Sequence, residues 1–138
     1  MNDLAIETSR QGDVVIVRLR GSADMGQAAS LDRRLGQFLR EGSCRLVLDL
    51  AGLAFASSMA LGAFIRAHVQ CRARSGRLLL LSPQPALLRV LQTTRLTDLF
   101  EITSDLEEAV SRAASGGANT RAADGVEPTR GRAEDADA

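Results

Sequence analysis

The sequence predicts an α/β domain: a mixed, mostly parallel β-sheet carrying helices, with a disordered C-terminal tail. Three observations lead there. Short β-branched or leucine-rich runs alternate with amphipathic stretches in the order β-β-α-β-α-β-α-β-α. The first two runs are joined by the turn signal "RQGD", which makes them a hairpin. Composition then changes near residue 114, where large apolar residues all but disappear.

The elements follow in order. "LAIETS" from Leu4 alternates apolar and polar, as a half-buried strand does, and "VVIVRLRG" from Val14 is its β-branched partner. In "GQAASLDRRLGQFLREG", Ala28, Leu31, Leu35, Phe38 and Leu39 share one helical stripe, leaving Arg33, Arg34 and Arg40 for the solvated face. "CRLVLDL" from Cys44 reads as a buried strand ending near Leu50. After Ser58, the residues Leu61, Phe64, Ile65, His68 and Arg72 recur at helical spacing, and Gly76 is placed to end that helix. "RLLLLS" is another central strand. "QPALLRVLQTTR" is helical, with Pro85 in its first turn. "LFEIT" is a last short strand, and "SDLEEAVSRAA" is a helix opened by a Ser104–Glu107 capping box.

These elements place one folded domain over residues 1–114 and a tail over 115–138. The tail holds one large aliphatic residue, Val126, four glycines and eight charges. It cannot bury enough apolar surface to offset its ordering entropy.

Composition excludes several function classes. The 17 basic residues are all arginine and balance 17 acids, so no global field draws the chain to nucleic acid or to an acidic membrane. Without lysine there is neither a P-loop nor Schiff-base chemistry. Without Trp or Tyr there is no aromatic stacking platform for bases. No apolar run is long enough to span a bilayer, and no secretory signal opens the chain, so a cytoplasmic protein without membrane insertion is expected. Cys44 and Cys71 lack metal or redox spacing and are expected as reduced, buried thiols. With His68 the lone histidine, no metal or cofactor site is expected.

The stretch "LAGLAFASSMALGAF", residues 50–64, puts Ser57 and Ser58 where a strand gives way to a helix. Sites in open α/β sheets gather at such carboxyl ends of strands. A helix N-terminus also tolerates a phosphate, through free amides and a partial positive charge. Two compatible roles follow: a helix cap and a candidate phosphosite, Ser58. A nucleophile does not follow. The only histidine lies ten residues from Ser58 on the same helix, a rise of roughly 15 Å, and no Gly-x-Ser-x-Gly elbow is present. An enzyme is therefore not expected. Asp24 carries a similar pair of roles, the first being a cap for the helix starting near Gly26.

The passage "LVLDLAGLAFASSMALGAF" resembles the central motif of the STAS domain, the module shared by sulfate transporters and anti-sigma-factor antagonists. "RLRGSADMGQAASLDRRL" resembles that family's glycine-rich strand-to-helix passage, with Gly21 and Asp24 in its glycine and acidic positions. "GRLLLLSPQPALLRVLQTTRLTDLFEITSDLEEAV" is similar to its C-terminal half. The likeness spans about residues 4–113 and implies a STAS-like fold and a binding module. For bacterial antagonists it implies a partner switch. The antagonist holds an anti-sigma serine kinase of the GHKL type, and phosphorylation of one serine releases it.

The switch itself departs from the pattern. The family's antagonists carry Asp-Ser-Ser-Gly-Leu-Gly, with the phosphate on the second serine. Anchored on Phe55, Leu61 and Gly62, the ungapped register sets Ser57 on the Asp and Ser58 on the first serine. Met59 falls on the switch serine and Ala60 on the first glycine. The resemblance thus assigns Asp24, Ser57, Ser58, Met59 and Ala60 to a partner-binding or switch region. Two partner classes stay open: an anti-sigma factor of the serine-kinase type, or a subunit of a transport ATPase or signalling assembly that needs no switch. Oligomeric state is equally open, since the edge of a small sheet can pair or be covered.

Overall fold

The computed structural model describes residues 4–115; most of the expected tail lies outside the described residues. The elements run β1 (Ala5–Gln11), β2 (Val14–Ala23), α1 (Met25–Arg40), β3 (Arg45–Ala56), α2 (Ser58–Ala73) and β4 (Arg77–Leu81). There follow α3 (Pro85–Thr93), a 3-10 turn (Leu96–Asp98), β5 (Glu101–Thr103) and α4 (Leu106–Ala114). The five strands form one sheet in chain order. β1 is antiparallel to β2 through the turn at Gly12–Asp13, and β2 through β5 are parallel.

Both faces are covered where Val14–Val17, Leu46–Leu48 and Leu78–Leu81 lie, which is why those strands read as continuous apolar runs. Val15, Val17, Leu19, Leu46, Leu48, Leu78 and Leu80 point into a large core roofed by α1, α2 and α3. Their neighbours in sequence, Val14, Ile16, Val47, Leu79 and Leu81, point the other way, against Ala109 and Ala113 of α4. Where α4 does not reach, that second face is polar and carries the ion pairs Arg18–Asp49 (3.1 Å) and Arg20–Glu7 (2.6 Å).

Four expectations are corrected. β3 does not end near Leu50 but continues to Ala56. Its register against β2 slips between Arg18 and Arg20, and again between Gly21 and Ser22, so β3 carries two more residues than its partner. The first slip resets the alternation and turns Leu53 into the same core as Leu50. Gly52 sits at this bulge because the Arg20 stem crosses it; a Cβ there would lie 2.5 Å from Arg20 Cγ.

The second correction concerns Gly76. α2 is capped at Arg74, and it is Ser75 that takes the left-handed conformation, φ 60°. Gly76 is required instead by close approach: a Cβ would be driven into the Cys44 carbonyl and would lie 2.8 Å from Cys44 Cβ. Third, α4 is capped by Asp105, not Ser104. The Asp105 carboxylate accepts from the Glu107 and Glu108 amides at 2.9 and 3.3 Å. Fourth, Cys71 is buried as expected, but Cys44 is only half-buried.

Candidate functional site at the carboxyl end of the sheet

The parallel pairing of β2 with β3 brings two strand-to-helix junctions together. Ser22 lies opposite Phe55 and Ala23 opposite Ala56. One residue beyond each strand stands the cap of the next helix. Asp24 caps α1, its carboxylate accepting from the Gln27 amide at 3.0 Å. Ser57 caps α2, its hydroxyl accepting from the Ala60 amide at 3.2 Å. The Ser57 amide in turn donates to the Ala23 carbonyl at 2.8 Å, so the two junctions are tied backbone to backbone. The helices are joined again a few turns on, where Arg66 reaches Asp32 at 3.2 Å.

The five assigned residues separate by exposure. Ser57 is buried (7%) and occupied as a cap. Ala60 is fully buried (0%), turned into the core, and offers no surface. Asp24 and Ser58 are exposed, Ser58 being the first residue of α2. Met59 is 48% exposed.

Beside them stand two residues that the assignment lacked, Met25 (60% exposed) and Phe55 (51%). Met25 follows the α1 cap directly and falls off that helix's buried stripe of Ala28, Leu31, Leu35 and Leu39. An apolar residue off the stripe, next to a cap, was the available signal. Phe55 has no such sign, because its orientation depends on the second slip in β3.

Met25, Phe55 and Met59 are thus exposed apolar residues at the two joined strand-to-helix junctions that also expose Asp24 and Ser58. Apolar side chains gathered at one end of a sheet and bordered by polar groups characterise a docking surface.

The other reactive groups are built into the fold. His68 is buried edge-on against Phe100, ring centroids 5.3 Å apart. Burial, reinforced by Arg72 and opposed by Glu101, holds its pKa below the ordinary histidine value. Burial, helped by neighbouring Cys44, pushes the Cys71 thiol up to about 12. Asp49 is engaged by Arg18 and by the Ala51 amide at 3.1 Å. Among the described residues there is no cluster of three or more His, Cys, Asp or Glu side chains that could hold a metal, and no helix long and apolar enough to cross a membrane.

The STAS domain model matches residues 5–109. The chain therefore belongs to the STAS domain family, as the three sequence passages indicated. Among solved structures it is similar to an anti-sigma factor antagonist from Mycobacterium paratuberculosis (20% identity, 82% of this chain and 96% of that one, TM-score 0.74). It is also similar to the anti-sigma factor antagonist SpoIIAA in its unphosphorylated form (22% identity, 80% and 96%, TM-score 0.70). The phosphorylated form of the Bacillus cell fate determinant SpoIIAA matches as well (23% identity, 78% and 98%, TM-score 0.64). At these identities the likeness is one of fold.

Proposed function

We propose that the protein is an anti-sigma-factor antagonist: a cytoplasmic, non-enzymatic binding module in a bacterial partner-switching pathway. The observation that carries this reading is the exposed apolar group Met25–Phe55–Met59 beside Asp24 and Ser58. Its partner is an anti-sigma factor of the GHKL serine-kinase type. Asp24 and Ser58 border the contact and Met59 lies within it, while Ser57 and Ala60 support it from below. The similarity to antagonist structures supports the class of partner.

Methionine has no hydroxyl, so a kinase cannot place a phosphate at residue 59. A phosphate near this helix N-terminus would be tolerated by the fold yet would set about two negative charges in an apolar contact. With Met59 in that place, the complex outlasts kinase activity. A constitutive STAS subunit of a transport ATPase or signalling assembly would exploit the same lack of a phosphoacceptor.

The test is binding of the full chain to a purified anti-sigma kinase from its host, with and without ATP. The expected result is a binary complex that ATP leaves intact and a chain that stays unmodified at Ser57 and Ser58. Met59→Ser should become phosphorylated and release the kinase when ATP is added. No complex with the kinase, and instead a complex with a purified transport ATPase, would replace this reading with the constitutive subunit. Phosphate on Ser58 of the unaltered chain would move the switch back to that residue.

A further inference from the structure

The described part of the chain contains four sulfur atoms, and the fold divides them into two pairs. The two thiols are withdrawn: Cys71 is fully buried, and half-buried Cys44 directs its sulfur at the Arg74 carbonyl, 3.8 Å away. The two thioethers are presented. Met25 and Met59 are 60% and 48% exposed, and both belong to the surface assigned to partner docking. They occupy the first turns of α1 and α2, whose caps are held together through the Ser57 amide and the Ala23 carbonyl.

From this placement we infer that Met25 and Met59 are a redox-modification site, and that their oxidation to the sulfoxide weakens partner docking on the Met25–Phe55–Met59 surface. The inference rests on the docking role proposed above.

The chemistry balances with a hydroperoxide as co-reactant. A lone pair on the thioether sulfur attacks one peroxide oxygen. The O–O bond breaks and an S–O bond forms. Sulfur is oxidised by two electrons, and hydrogen peroxide is reduced to water. Each event turns a flexible apolar side chain into a polar one with a strong acceptor oxygen, and methionine sulfoxide reductases reverse it. The fold should not oppose it. Neither side chain belongs to the buried core, and the positive end of a helix favours a polarised S–O group nearby. A surface whose residue 59 cannot carry phosphate thereby acquires a reversible switch of another kind.

The experiment treats the full chain with hydrogen peroxide and maps oxygen addition by peptide mass spectrometry. Affinity for the purified anti-sigma kinase is then measured before oxidation, after it, and after repair with methionine sulfoxide reductases A and B. The double variant Met25→Leu/Met59→Leu runs in parallel; it keeps Met1 and both thiols but cannot form the sulfoxides at residues 25 and 59.

The expected result is one oxygen on Met25, one on Met59 and binding weakened at least about tenfold, as for loss of a central interface contact. Repair should restore it, and the leucine variant, measured against its own starting affinity, should lose none on oxidation. Unoxidised methionines under conditions that convert a free methionine peptide would overturn the inference. So would equal affinity before and after oxidation, or an equal loss in the leucine variant, which would trace the effect to the thiols or to Met1. If the kinase fails to bind even the unoxidised chain, the docking reading falls first and this inference falls with it.

Discussion

The amide of Ser57 donates to the carbonyl of Ala23 at 2.8 Å, joining residues that stand 34 positions apart in sequence. This bond aligns the starts of α1 and α2 at one end of the sheet. Ser57 serves the junction twice, since its hydroxyl also accepts from the Ala60 amide. Ser57→Ala removes the side-chain half of that arrangement. The expected loss is about 1 kcal/mol, read as a fall in melting temperature of about 4 °C for a domain of this size. An unchanged thermal transition would mean that the hydroxyl bond contributes nothing.

The docking surface should separate cleanly from stability. Met25→Ser and Phe55→Ser remove exposed apolar side chains. Each should change folding free energy by no more than about 0.5 kcal/mol. Each should weaken binding to the anti-sigma kinase by about tenfold or more. Urea titration and isothermal calorimetry on the same preparations give the two numbers. Equal binding by both variants would place the contact elsewhere.

Gly76→Ala should be among the most damaging single substitutions in the chain. The added methyl group would meet the Cys44 backbone, which is fixed by its carbonyl accepting from the Arg77 amide at 2.9 Å. Overpacking against backbone of this kind costs about 3 kcal/mol. Chemical denaturation would show it as a large drop in midpoint at constant slope. A near-normal midpoint would mean that the α2–β4 turn can shift to accommodate the methyl.

Stability should fall on mild acidification, because of His68. Its pKa is lowered in the folded protein from 6.5, so the unfolded chain binds more protons at acid pH. The contribution of His68 is complete above the unfolded value and is lost as pH falls from 6.5 toward the folded value. The slope from one such group cannot exceed about 1.4 kcal/mol per pH unit. Denaturation between pH 7 and roughly pH 5.5, above the usual carboxylate range, should show this decline. His68→Leu should flatten it. A variant with the same slope would move the effect to the carboxylates.

Much of this fold was legible in the sequence, because strands buried on both faces read as unbroken apolar runs. "VVIV" and "LLLL" have that form, and Val14–Val17 and Leu78–Leu81 are all buried. What failed was local. The end of β3 was misplaced because a bulge interrupts the alternation after Leu50, and no strand template allows for an extra residue. The α4 cap was misplaced by one position because Ser104 and Asp105 are both good caps, and the backbone path selects between them. The site was legible where it lies within one segment, as at Ser57, Ser58 and Met59. Met25 joins it through β2–β3 pairing across some thirty residues, which periodicity does not encode, and Phe55, in the same segment as Ser57, sits at a register slip that periodicity does not encode either. Ala60 shows the converse: it lies inside the assigned segment, yet a turn of 100° per residue carries it into the core.

The charged half-face of the sheet, where Arg18 pairs with Asp49 and Arg20 with Glu7, has a further consequence. It lies beside strand β1, whose outer edge no other strand covers among the described residues. Opposite charges alternating across this surface make it a poor template for a second sheet, since an identical copy must match both charge pattern and register. The protein can therefore keep an adhesive apolar patch at one end of its sheet without its open flank inviting chains to stack into fibrils.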